Sequence, residues 1–128
     1  MPDWSIKIVQ LDSGETVFVP DLQGAQPGDP LQTWQDDLVS WNNTTNKTHQ
    51  PWPTDSSYQP LPDSQVLPRG SATYMSDEIP PGESSTPSYD VPPPPAANPP
   101  LETWTIYYCC KKHPTEHGTI VATTVPTS

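Results

Sequence analysis

Between Cys110 and His117 the chain places a thiol, two imidazoles and a carboxylate within eight residues, Cys110-Lys111-Lys112-His113-Pro114-Thr115-Glu116-His117. Thiolate and imidazole at such spacing are ligands for a transition metal, and a carboxylate beside them adds a harder donor. The residues before them decide where they point. From Trp104 to Cys110 large side chains fall on alternate positions, and the side chains of a strand alternate between its two faces. Trp104, Ile106, Tyr108 and Cys110 therefore share one face, the better candidate for a core, while Thr105, Tyr107 and Cys109 share the other. This aims Cys110 inward at a strand's end, with His113 just beyond it in a loop constrained by Pro114 and Gly118. Cys109 faces away and is expected to be a surface thiol. Two adjacent cysteines cannot build a framework of bridges, and a vicinal disulfide would be strained, so free thiols beside histidines suit a metal. Zinc is one candidate, because His113 and His117 are spaced like a structural pair, but Pro114 and Gly118 oppose the helix that such a pair normally needs.

Composition narrows what can surround such a site. At 128 residues the chain is one domain's worth. With 31% apolar residues and 20 prolines, it cannot be packed uniformly, and some of its length must be loop. Fourteen of those prolines lie between Gln50 and Pro100, where continuous helix and interior strands are not expected. A formal charge of −10 argues against nucleic acid and anionic membranes as partners and favours basic proteins. No stretch of twenty apolar residues is present, so no membrane span is expected, and Met1-Pro2-Asp3 is not expected to act as a secretory signal.

The period-two runs give the rest of an all-β reading. Trp4, Ile6 and Ile8 alternate with Ser5, Lys7 and Val9 in a half-buried strand, and Asp12-Ser13-Gly14 turns the chain into Thr16–Val19, closed by Pro20. Gly24 to Gln35 reads as a loop with Trp34 as its only large anchor, punctuated by Pro27-Gly28-Asp29-Pro30. Further strands are expected at 38–42, 104–110 and 119–123.

Three motifs in this order resemble a known family. Tyr108-x-Cys110-x-x-His113-Pro114-x-Glu116-x-Gly118-x-Ile120 is similar to the closing motif of the cupredoxins, Y-x-C-x-x-H-P-x-M-x-G-x-I, with Glu116 in the methionine position. Asp37-x-Val39-x-Trp41-x-Asn43 resembles the cupredoxin strand that runs into the loop delivering the first copper-binding histidine, and His49 is the matching residue. Ser76-x-x-Ile79-x-Pro81-Gly82-Glu83-Ser84 resembles a further cupredoxin segment. The resemblance covers residues 4–20, 37–49, 75–89 and 101–125. It implies a cupredoxin-like Greek-key β-sandwich or barrel of seven or eight strands, one domain over 1–128, with insertions near 24–36, 54–73 and 91–100. It also implies a turn at Pro81-Gly82, a core-facing Tyr89 and an external polyproline spacer over 91–100.

By the same resemblance His49, Cys110 and His113 bind one copper ion, with backbone groups after His49 and around Cys110 bonding the sulfur. The fourth ligand is Glu116, or alternatively His117. A carboxylate there resembles the red copper protein nitrosocyanin and implies a lowered potential and a red centre. The alternative for Glu116 is a solvated carboxylate beside Lys111 and Lys112. Two functions follow: electron transfer to a redox partner protein with a basic docking surface, or a small-molecule site for nitric oxide or oxygen species. A metal-free proline-rich interaction module is a third reading, which leaves the closing motif unexplained. The resemblance implies a periplasmic or extracellular location. The sequons at Asn42, Asn43 and Asn46 crowd His49 and are expected to stay bare.

Overall fold

The computed structural model describes residues 3–66, 74–86, 88–92 and 102–124. Among these residues eight strands form two sheets: β1 (Asp3–Gln10), β2 (Thr16–Pro20), β3 (Leu31–Trp34), β4 (Leu38–Asn43), β5 (Pro51–Pro53), β6 (Tyr89–Asp90), β7 (Thr103–Cys110) and β8 (His113–Thr123). One four-residue helix, α1 (Asp63–Val66), interrupts the strands among the described residues. The first sheet has the order β2-β1-β4-β6 and the second β3-β8-β7-β5. Within them β1–β4 and β3–β8 run parallel and the other pairs antiparallel, the crossed connectivity of a cupredoxin-like Greek-key sandwich.

The alternating runs explain this arrangement. Ile6 and Ile8 of β1, Phe18 of β2, and Val39 and Trp41 of β4 turn inward to meet Leu31, Trp104, Tyr108, Cys110, Ile120 and Ala122 of the second sheet. Trp4 and Ile106 pack against this core from its rim. Tyr108 sits centrally, edge-on to both Phe18 and Trp41 at centroid distances of 4.9 and 5.4 Å. Its ring lies over Gly118, the residue it opposes on β8, and a Cβ there would come within 2.5 Å of the tyrosine hydroxyl. The tyrosine and the glycine of the closing motif are therefore one packing unit. Asp37 ties the two sheets' margins together, accepting from the Trp4 indole at 2.7 Å and from the Trp34 N–H at 2.8 Å.

Several expectations hold. Pro80 to Glu83 form a turn closed by Glu83 N–H to Pro80 O, with Gly82 at φ 78° supplying the left-handed residue. Tyr89 is in the core. The two strands inside the proline-rich region, β5 and β6, are both edge strands, where a residue without an N–H is tolerated.

Three expectations need correction. Gly24 to Gln35 is not all loop, because its last residues form β3, which gains its ladder from pairing parallel to β8. Leu31 anchors it at 1% exposure, while Trp34 is 46% exposed. Val91 is not the start of an external spacer: it is buried in the core and exchanges backbone hydrogen bonds with Asp36 and Asp37. The rest of that spacer, 93–100, lies outside the described residues. Cys109 is not a surface thiol, since the insertion covers its face. It opposes Trp52 of β5, and directly opposed residues in an antiparallel pair share a face. Trp52, Val66 and Tyr74 with Leu61 build a second apolar cluster there, and Cys109 is fully buried.

Candidate metal centre

The β7–β8 hairpin carries three of the four candidate ligands, and a register shift in it sets their direction. Cys109 opposes His117, whereas the next residue, Cys110, opposes His113. Pro114, Thr115 and Glu116 are therefore extra residues on β8 with no partner on β7, a bulge of the kind that re-aims side chains. The strand thus begins at His113, where a loop was expected, and the bulge turns Glu116 toward Cys110 and His113. The fourth residue comes from the other side of the sandwich. After β4 the chain loops over and pairs at His49 with Ile79, through His49 N–H to Ile79 O at 3.2 Å and Ile79 N–H to His49 O at 2.7 Å. The Ser76–Ser84 segment thereby fixes the histidine's backbone.

His49, Cys110, His113 and Glu116 converge so that one donor atom from each lies within 4.8 Å of every other. His49 Nδ1 is 3.3 Å from Cys110 Sγ and 3.5 Å from Glu116 Oε1. His113 Nδ1 is 3.9 Å from the same sulfur and 3.6 Å from the same carboxylate oxygen. His49 and Cys110 are buried, Glu116 is 18% exposed and His113, at 42%, is the most open of the four. Glu116 Oε1 is itself buried and has no hydrogen-bond partner among the described residues. It is not the solvated carboxylate of the alternative reading. Lys111 instead pairs with Asp63 at 3.1 Å and lies over the Trp52 ring, and Lys112 pairs with Glu78 at 2.9 Å.

Burial is the leading influence on three of these groups and favours the neutral form of each. Burial pushes the Cys110 thiol up, against backbone hydrogen bonds from Gln50, Lys112 and His113 that favour the thiolate, while the Glu116 charge pushes it up further. Gln50 follows His49, so the expected backbone donors to the sulfur are present. The His49 imidazole is held below its ordinary value by burial first, then by the neighbouring His113 and Lys47. Burial raises the Glu116 carboxyl, with His113, a hydrogen bond from Thr16 and Lys47 working the other way.

His117 is not brought into this group. It stands beside Cys109 on the outer face, its ring stacked on Tyr58 at a centroid distance of 3.9 Å and 20° between planes. Of the three sequon asparagines, Asn43 is 1% exposed with its amide engaged inside the protein, and Asn42 accepts a hydrogen bond from the Ser84 hydroxyl. Asn46 is exposed. Thr45, which the sequence reading passed over, is buried 3.0 Å from His49 Nε2. Nothing in the sequence sets it apart from the other polar residues of its loop.

No family model matches the sequence, and no curated protein matches it. Solved structures do. A purple cupredoxin from Nitrosopumilus maritimus is 13% identical, with 93% of this chain and 98% of that one covered and a TM-score of 0.60. An oxidized plastocyanin from Dryopteris crassirhizoma is 14% identical over 92% and 98%, with a TM-score of 0.55. A reduced Cu(I) form of an amicyanin variant is 16% identical over 95% and 83%, with a TM-score of 0.54. The fold of this chain is the cupredoxin fold.

Proposed function

We propose that the chain is a single cupredoxin-like domain that binds one copper ion through His49, Cys110, His113 and Glu116 and transfers electrons. The observation that carries the reading is the convergence of these four donors at one end of a cupredoxin sandwich, with a buried carboxylate oxygen left unpartnered. A buried polar atom without a partner calls for an explanation such as an ion, and a bound cation satisfies it. The donor set fits copper, since thiolate and imidazole are acceptable to both of its common oxidation states. When bound, copper supplies a one-electron couple. The chain's own residues do the rest. Three backbone N–H groups orient the Cys110 sulfur, the Ile79 pairing holds His49, and His113 offers the most exposed edge of the site to a partner. Glu116, harder than a methionine sulfur, favours the cupric state and lowers the potential.

The charge of −10 supports a redox partner with a basic docking surface, whose association weakens as salt is added. No helix among the described residues is long and apolar enough to cross a membrane. A periplasmic or extracellular location accompanies this reading. The hard fourth donor also supports a second one, in which the centre takes a small molecule such as nitric oxide or an oxygen species. Metal content decides the primary claim. The protein as isolated, or offered copper after chelation, should hold one copper per chain with a visible thiolate absorption. Failure to bind copper, or a colourless complex with copper(II), would overturn it.

A further inference from the structure

Asn43, Thr45 and His49 form a buried run of hydrogen bonds that leads to the far side of the His49 ring. Asn43 Nδ2 lies 2.6 Å from the Lys47 carbonyl and 2.9 Å from the Ile79 carbonyl. Both carbonyls can only accept, so the amide nitrogen faces them and Oδ1 faces the other way. There Oδ1 receives the Thr45 N–H at 3.0 Å and has the Thr45 hydroxyl at 2.7 Å. The hydroxyl owns one proton, and both acceptors near it, Asn43 Oδ1 and the Lys47 carbonyl at 3.1 Å, lack one to give. Lys47 N–H adds a donor to the same oxygen at 3.2 Å. With its proton given to Asn43 Oδ1, its shortest contact, Thr45 Oγ1 meets His49 Nε2, 3.0 Å away, as an acceptor. In that direction Nε2 carries the ring hydrogen, and Nδ1 turns its lone pair toward Cys110 Sγ and Glu116 Oε1.

We propose that Thr45 is a positioning residue that selects the Nε2–H tautomer of His49 and so presents Nδ1 to the metal. The proposal rests on the reading of His49 as a ligand. Which ring nitrogen of a histidine is free is set by the hydrogen bond that the other makes. The selection matters here because an acceptor competes for the proton. Glu116 Oε1 stands 3.5 Å from Nδ1 and, with no opposing bond at Nε2, draws the hydrogen to Nδ1, the nitrogen needed for coordination. Thr45 holds it on the far side. The grip extends beyond one hydroxyl, because Asn43 ties Thr45 to the carbonyl of Ile79, the residue that also pairs with the His49 backbone. The ring's tautomer and its main chain are thus set from one place.

Long-range proton–nitrogen NMR of the metal-free, nitrogen-labelled full chain reads the tautomer directly, without copper. The unsubstituted protein should show His49 in the Nε2–H form. Thr45→Val should move His49 toward the Nδ1–H form and lower copper(II) affinity, measured against a competing chelator, by about 10- to 100-fold. Thr45→Ser, which keeps the hydroxyl, should restore both. A Nδ1–H ring in the unsubstituted protein would overturn the proposal, and that measurement decides even if Thr45→Val fails to fold. An unchanged tautomer and affinity in a folded Thr45→Val would also overturn it. If the unsubstituted chain binds no copper, the ligand reading fails, while the NMR comparison still decides what Thr45 does to His49.

Discussion

Cys109 and Cys110 are neighbours in sequence and equally buried, yet they lie on opposite faces of β7 and meet opposite surroundings. Cys110 points into the sandwich, where its sulfur meets three backbone N–H groups and the imidazoles of His49 and His113. Cys109 points outward, across from Trp52 and the apolar cluster of the insertion. Burial, with the neighbouring Cys110 adding to it, pushes the Cys109 thiol up to about 11. Neither influence favours the thiolate. Burial by itself makes a thiol inert, and donors aimed at the sulfur make it a ligand. The same contrast repeats along the hairpin, with Glu116 inside and His117 stacked outside, and with Tyr108 in the core and Tyr107 half-buried beside Tyr58.

Breaking the contrast at the cysteines should have the largest effect. Cys110→Ser should abolish the thiolate charge-transfer absorption of the copper-loaded protein, and Cys109→Ser should leave it nearly intact. Equal loss in both spectra would mean that the register of β7 is wrong. The tyrosines come next. Tyr108→Ala should destabilise the fold by about 3–5 kcal/mol in urea titrations, as large-to-small changes in a packed core do. Tyr107→Ala should cost about 1 kcal/mol, the ordinary value for a point substitution. The smallest difference lies between the two fourth-ligand candidates. Glu116→Met should raise the reduction potential and shift the spectrum toward blue, while His117→Ala leaves both where they were. The opposite pattern would transfer the ligand role to His117.

Where residues carry their own directional information, the sequence could be read. Strands β1, β4 and β7 each alternate large apolar with polar or small residues, so both their existence and their inward faces follow from pattern, while β2 shows itself only as a β-rich run closed by a proline. The inward direction of Cys110 followed in the same way, and His49 and Glu116 were placed by motif likeness. What stayed hidden depends on partners distant in the chain. Leu31–Trp34 is too short to announce itself after Pro27-Gly28-Asp29-Pro30, and it is a strand because β8 lies alongside. Cys109 opposes Trp52, on the face where Trp52, Leu61, Val66 and Tyr74 cluster, in a region whose prolines suggest only loop. Thr45 looked like part of a polar loop, and only the three-dimensional run from Ile79 through Asn43 gives its hydroxyl a direction.

The two prolines of β5 have a further consequence for how this molecule meets copies of itself. Lys111 N–H bonds to Gln50 O and Thr54 N–H to Tyr107 O, so residues 50 and 54 turn their backbone groups toward β7. By the alternation of an antiparallel ladder, residues 51 and 53 turn theirs outward, and both are proline. An exposed sheet edge is a template for fibril growth and strand-swapped aggregates, because its free N–H groups recruit another chain. Here that margin has no hydrogens to offer at either outward position. A second chain approaching the border beside Cys109 and Cys110 therefore finds no backbone donor at residues 51 and 53, and the Pro53 carbonyl is already taken by the Leu61 N–H.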